Sequence, residues 1–350
     1  MGKTKLLTHS SMTCAKTCLK MYELKYVKGL RRQREETPLR VGSLVHLGLE
    51  LGKIQPVQDY PDWCIEDEDQ YKWDCDQALA QAMVQAYLEY WADDNVEVIS
   101  REQEFYTKII NPETGGVTPS FVAAGKIDKT VKLPDGRLAI MEHKTTSDNL
   151  EEDSPYWRRL MMDQQISHYF IGAQDIGIDV ETVLYDVIKR PSLQAKSIPI
   201  LGEEGLPIVL VDETGERAIK KNGEPYKTAS KGMTAQKRPE TPEEYGMRVY
   251  TDINDRPEHY FCRREIPRLD SDVDEFLHEL WQQQKMLQEC HKNGYFFRNT
   301  SACFKWNRPC EYFDVCTAGG LDDDDEFAPL GFEFNEAHTE LESKPKGENK

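Results

Sequence analysis

Between Tyr71 and Trp91, apolar residues fall at 75, 78, 79, 82, 83, 86, 87, 90 and 91. This three-four spacing predicts an amphipathic helix packed on a core, with Cys75 on its buried face. A four-residue rhythm of Cys14, Cys18, Tyr22 and Tyr26 predicts an earlier helix over 6–30. A further helix is expected after Pro38, in LRVGSLVHLGLELGK, where Gly42 and Glu50 stand four positions either side of His46. Glycine inside a helix costs roughly 1 kcal/mol relative to alanine, so Gly42 points to close backbone packing near His46.

The periodicity then changes from helical to alternating. Residues 96–110 read as a strand, and FVAAGKIDKTVKLPDGRLAIMEHKTT (121–146) as two strands joined by the turn Pro134-Asp135-Gly136. Together they predict an antiparallel three-stranded unit. Ser154-Pro155 is an N-cap and first helical residue for a helix to about Gly177, followed by the strand-like run ETVLYDVIKRP. Helix, three strands, helix and strand in that order indicate an α/β (α+β) fold. Residues 192–240 read as a loop of low order, 241–250 as a short capped helix and 259–268 as a strand. A helix then starts near Ser271, with Val273, Phe276, Leu277, Leu280, Trp281 and Leu287 as its buried stripe.

Composition narrows the class. The 350 residues are 30% charged and 39% hydrophobic, with no apolar run near the ~20 residues of a membrane span. The first ten residues, MGKTKLLTHS, lack the apolar core of a secretory signal, so a cytoplasmic location is expected. Net charge is −18, of which residues 321–350 hold ten acids and three lysines, a net −7. The segment from Gly319 is therefore expected to be an acidic disordered tail (319–350). A nucleic-acid partner would need a local basic groove. Its candidates are Lys25, Lys28, Arg31, Arg32 and Arg34, then Arg158 and Arg159, then Arg263, Arg264 and Arg268. Nine cysteines in a chain of this class point away from disulfides, towards metal binding or burial.

The chemistry concentrates in the 121–146 hairpin. Leu138, Ile140, Glu142 and Lys144 share a strand face, and Asp128 precedes Glu142 by fourteen positions, within reach across the hairpin. Two acids beside a lysine can hold a hard divalent cation and polarise a water or phosphate oxygen. A short D…ExK pattern also matches by chance, as a salt-bridged hairpin.

Ordered companions change that weighting. Gly42-x-x-x-His46, Gly125-x-Ile127-Asp128, Glu142-x-Lys144 and Gln165-x-x-x-Tyr169 fall in turn on a helix, two strands and a helix. This resembles the PD-(D/E)XK nuclease superfamily, in its RecB/AddB-like branch. The downstream pattern RPSLQ…TPEEYGMRVY…HYFCRREIPR is most similar to free-standing phage-encoded members.

The resemblance implies a restriction-endonuclease-like core, a central mixed sheet flanked by helices in one domain over 1–318. Residues 54–95 would be a helical insertion, 192–240 a loop-rich insertion and 296–318 a cysteine-bearing segment. It implies Asp128, Glu142 and Lys144 as catalytic residues. His46, Asp128, Glu142 and the His143 backbone carbonyl would be ligands of Mg²⁺ or Mn²⁺, with Gln165 and Tyr169 on the DNA. It further implies a [4Fe–4S] cluster on Cys18, Cys303, Cys310 and Cys316, joining the two ends of the chain, with Cys14 an alternative to Cys18.

The function expected is a metal-dependent DNA exonuclease acting on single-stranded DNA or DNA ends in recombination, repair or replication, in the host cytoplasm if phage-encoded. The alternatives are a non-catalytic DNA-end-binding or scaffold subunit, or the nuclease subunit of a helicase–nuclease complex. No G-x-x-x-x-G-K-[ST] loop occurs, so any ATPase would come from a helicase or recombination protein partner.

Overall fold

A computed structural model describes residues 4–33, 37–61, 67–305, 307–321 and 327–341. Arg34, Cys64 and parts of the tail (322–326 and 342–350) lie outside the described residues.

Six strands form the central sheet. β1 (Lys5–Leu7) runs parallel to β3 (Val117–Lys132), and β2 (Glu97–Ile110) and β4 (Leu138–Thr146) pair antiparallel with β3. β5 (Thr182–Lys189) is parallel to β4, and β6 (Phe261–Ile266) closes the sheet antiparallel to β5. The expected antiparallel unit is thus β2, β3 and β4, within a mixed sheet flanked by helices.

Helices cover both faces. On one side α2 (Thr37–Leu51), α3 (Asp67–Tyr90) and α6 (Pro242–Asp255) share a core with Ile188 and Phe261. Cys75 is buried there, as its spacing predicts. A Cβ at Gly48 would stand 2.7 Å from Val84, so the absence of a side chain lets α2 and α3 approach. On the other side α4 (Pro155–Leu160) and α5 (Gln164–Asp175) pack with Phe105, Ile127, Ile140 and Tyr185. The long α7 (Asp270–Asn293) joins α1 (His9–Thr17) and β1 in a third apolar cluster.

Several boundaries differ from the sequence reading. The helix expected over 6–30 begins only at His9, because Lys5–Leu7 adds a strand and Thr8 caps the helix, its Oγ1 accepting from Ser11 N at 3.3 Å. It breaks at Cys18, whose φ of −163° is extended, and ends in the π-helical turn Glu23–Val27. The helix expected over 154–177 is two helices. Asp163 starts the second, its Oδ1 accepting from Gln165 N at 3.0 Å. The strand expected over 259–268 is Phe261–Ile266, preceded by the helical turn Pro257–Tyr260.

Residues 192–240 fold into short hairpins, Ser197–Pro199 with Lys237–Pro239 and Val209–Val211 with Met233–Ala235. Within the segment read as an acidic tail, Phe332–Phe334 pairs antiparallel with Leu30–Arg32. Its two phenylalanines supply local β-preference within a run whose average composition is acidic.

Candidate active site

The β3–β4 register sets Lys129 opposite Met141, which carries Asp128 to the level of Glu142 and His143. The His143 amide donates to Asp128 Oδ2 at 3.1 Å. One backbone bond therefore fixes the aspartate against the strand that carries Glu142 and Lys144. On that strand Lys144 Nζ lies 2.9 Å from Glu142 Oε1 and 3.5 Å from Asp163 Oδ2, and donates to Gln165 Oε1 at 2.6 Å. Gln165 Nε2 donates to the Tyr169 hydroxyl at 2.8 Å. Tyr169 is only 6% exposed, so it holds Gln165 from beneath. Gly125 permits this packing, since a Cβ there would stand 2.6 Å from Phe105 Cζ.

His46 approaches from α2, its Nδ1 4.0 Å from Asp128 Oδ2. Gly42, one turn earlier, faces Thr145, whose Oγ1 would be 3.1 Å from an added Cβ. The close packing read from Gly42 is thus an approach of α2 to the end of β4. His46, Asp128, Glu142, Lys144, Gln165 and Tyr169 are drawn to one end of the sheet.

The electrostatics follow from burial. Glu142 is 2% exposed, and its Oε2 has no hydrogen-bond partner among the described residues. Burial and the neighbouring Glu142 hold the Asp128 carboxyl well above the usual range. Burial also raises the Glu142 carboxyl, against the opposing pull of Lys144. Lys144 is desolvated too, but Glu142 and Asp163 outweigh that and keep it firmly protonated. Burial lowers His46 to about 3, leaving a neutral imidazole near neutral pH.

Three acids escaped the sequence reading. Asp163 caps α5 and faces Lys144; an Asp followed by Gln-Gln-Ile was a helix-start signal inside the expected longer helix. Asp186, fully buried on β5, meets His143 Nδ1 at 3.3 Å and Arg263 Nε at 3.2 Å, and accepts from the Tyr87 hydroxyl. Glu102 lies on β2 with φ +49° and pairs with Lys126 at 2.5 Å. No local sequence pattern marks Asp186 or Glu102.

The cysteines require a correction. Cys18, Cys303, Cys310 and Cys316 line one pocket with Met21, Ala302, Tyr312 and Phe313. Yet among the described residues no group of three or more His, Cys, Asp or Glu side chains is placed to hold a metal ion. The expected [4Fe–4S] cluster is overturned, and with it the expected iron–sulfur joint between the two ends. Burial raises the Cys310 and Cys316 thiols. The ends are instead joined by packing of Leu24, Leu30, Tyr312 and Val315, and by hydrogen bonds. Tyr312 donates to Leu30 O at 2.8 Å, and Asn299 Nδ2 to Thr17 O at 2.9 Å.

A protonated lysine is thus bound to a buried carboxylate, with an aspartate fixed across the hairpin, at one end of an α/β sheet. Residues 6–317 match the model of the PD-(D/E)XK nuclease superfamily, and the chain belongs to that superfamily. Membership supports nuclease-type enzymatic activity. A search of curated proteins finds no match. Among solved structures, the crystal structure of SSO0001 is similar at 12% identity, over 54% of this chain and 65% of that one, with a TM-score of 0.24. The chain thus spans slightly less than two thirds of that protein. A likeness at that score carries no functional weight. Among the described residues no helix is long and apolar enough to cross a membrane.

Proposed function

We propose that the protein is a metal-dependent DNA exonuclease of the RecB/AddB-like branch, acting on single-stranded DNA or DNA ends in recombination, repair or replication. The observation that carries this reading is the Glu142–Lys144 pair beside Asp128, with one Glu142 oxygen buried and unpartnered. A buried carboxylate oxygen without a donor is rare in a finished structure, and a cation or ordered water would satisfy it.

The donor set fits Mg²⁺ or Mn²⁺. Asp128 and Glu142 offer hard oxygens, the His143 carbonyl would be a third ligand, and His46 stands neutral at the edge. Mg²⁺ keeps several waters and needs only one or two carboxylates, so a closed cage of three side chains is not required. When bound, the metal would neutralise phosphate charge and lower the pKa of a water.

The chain's own groups supply the rest. Because Glu142 and Asp163 keep Lys144 protonated, its ammonium suits it to orient the attacking water and to balance charge developing on the phosphate. Gln165 holds that ammonium in place and presents its own amide at the helix start, where a substrate strand would pass. Lys144 therefore acts by charge and position.

End-labelled and circular single-stranded DNA digested with Mg²⁺ or Mn²⁺ tests the reading. Lys144→Ala and Glu142→Ala are expected to lower the rate at least 10²-fold, with roughly 10²–10⁴ the usual span for such groups. Full activity in either variant would sink it, and cutting of the circular substrate would remove the requirement for an end.

A further inference from the structure

Charge is unevenly spread along the chain. Residues 220–238 carry six basic residues against one acid, Glu224, a net +5 in a protein of net charge −18. This stretch belongs to the run of hairpins between β5 and α6, for which the nuclease chemistry above has no use.

The hairpins stand on a built stem. Glu240 N donates to Lys196 O at 2.8 Å, and Lys196 N to Glu240 Oε2 at 3.2 Å, closing the base of the arm. Glu240 is 3% exposed and is gripped by Arg248, at 2.8 Å from Nε and 2.6 Å from the guanidinium terminus. Tyr71 donates to Glu240 O at 2.7 Å, and Arg248 to Gln194 O at 2.8 Å. The stem is tied both to α3 and to α6.

Its origin is the active-site end of the sheet. β5 accompanies β4 to its last residue, pairing Lys144 with Val187 and Thr146 with Lys189, and Arg190 N then donates to Thr146 O at 2.7 Å. The chain thus leaves the sheet for the arm beside the strand end that carries Lys144.

Not all of the arm's cations are free. Arg217 is bidentate to Glu204, Lys220 meets Glu224 at 3.6 Å and Arg238 is bidentate to Glu244. Lys221, Lys227, Lys231 and Lys237 are exposed and make no ion pair among the described residues. Most candidates first marked for a basic groove are engaged within the chain. Arg263 pairs with Asp94 and Asp186, Arg159 with Asp148 and Lys25 with Glu311, while Arg268 donates to the carbonyls of Met161 and Asp163.

We propose that the 192–240 arm is a contact surface for the phosphate backbone of a nucleic acid strand, with Lys221, Lys227, Lys231 and Lys237 as its phosphate-neutralising groups. The identity of the polymer rests on the nuclease reading above; the surface itself rests on the stem and the four free ammonium groups. Lysine is a mobile point charge rather than a planar fork, so contacts of this kind hold a strand without reading its sequence. Each neutralised phosphate releases condensed counterions, which gives the proposal a measurable signature.

The experiment is fluorescence anisotropy of labelled single-stranded DNA over a series of KCl concentrations in EDTA. It uses the full chain and the variant combining Lys221→Gln, Lys227→Gln, Lys231→Gln and Lys237→Gln. Four lost contacts would reduce the slope of log K against log salt by up to about 3, at roughly 0.7 per phosphate on a single strand. Affinity at moderate salt is expected to fall roughly 10- to 100-fold, with the rate at saturating DNA unchanged. The matching set of four Lys→Arg substitutions, which keeps the charge, should restore affinity and slope and so guards against misfolding. An unchanged slope in the glutamine variant overturns the arm, as does a full chain that binds no DNA. A full chain that binds with an arm-dependent slope but cuts nothing keeps the arm and removes the nuclease reading. Normal cutting with an unchanged slope does the reverse.

Discussion

Asp186 lies beside the strand that carries Glu142 and Lys144, with no solvent exposure and with His143, Arg263 and Tyr87 around its carboxylate. Burial alone would raise its carboxyl, but His143 and Arg263 outweigh that and keep it below the usual carboxylate range. It is therefore a buried anion engaged through Oδ2, and Arg263 in turn lies 3.7 Å over the Trp91 ring. Removing one partner of such a pair leaves the other charge buried, which typically costs about 3–5 kcal/mol. Asp186→Ala is expected to lose about that much in urea unfolding. The His143 amide also holds Asp128, so activity of the surviving folded fraction should fall roughly tenfold or more. Wild-type stability in that variant would show that the network behind the site is not structural. None of this was legible locally, because Asp186 sits in the strand-like run ETVLYDVIKRP as an ordinary interruption and its partners come from α3, β4 and β6.

The break between α4 and α5 shows what periodicity misses at the level of an element. From Pro155 to Gly177 there is neither an internal proline nor a glycine before Gly172, so a single helix was the natural reading. Arg268, more than a hundred positions away, donates to Met161 O at 3.0 Å and also to Asp163 O, satisfying carbonyls that a continuous helix would have used itself. Asp163 then does two jobs, capping α5 and facing Lys144. Two substitutions separate them. Asp163→Ala removes the cap and should cost about 1 kcal/mol of stability. Asp163→Asn keeps a good capping oxygen but removes the charge, so stability should hold within about 0.5 kcal/mol while activity falls. Full activity in Asp163→Asn would assign Asp163 to the cap alone. By contrast the β2–β4 unit and α3 were readable, because a long run of one period needs no distant partner to declare itself.

For the whole molecule, a clear pH response comes from the histidines. Burial lowers His9 and His291 to about 4, and His46 and His168 to about 3. The unfolded chain takes up these protons near pH 6.5, while the folded chain refuses them until far lower. Between those values the unfolded state binds more protons, so stability falls as pH falls through the window. His168 isolates the effect, since it is fully buried between Phe105 and Phe276 and neither ring nitrogen has a hydrogen-bond partner among the described residues. His168→Leu should narrow the stability difference between pH 7 and pH 5 by about 2 kcal/mol, read from urea unfolding at each pH. An unchanged difference would contradict the neutral buried state. The cysteines mark the limit of sequence reading at this scale: the resemblance implied a [4Fe–4S] cluster, whereas the four line one pocket and, among the described residues, no group is placed to hold a metal ion. The pairing of Leu30–Arg32 with Phe332–Phe334 has one more consequence, in the order of synthesis. A strand made among the first thirty-odd residues waits for a partner some three hundred residues downstream, about 15–60 s later at roughly 5–20 residues per second. Until then Leu30 and its neighbours lack this cover, and a ribosome stalled before Phe332 would hold a chain whose 121–146 hairpin is complete but whose Leu30–Arg32 strand is still unpaired.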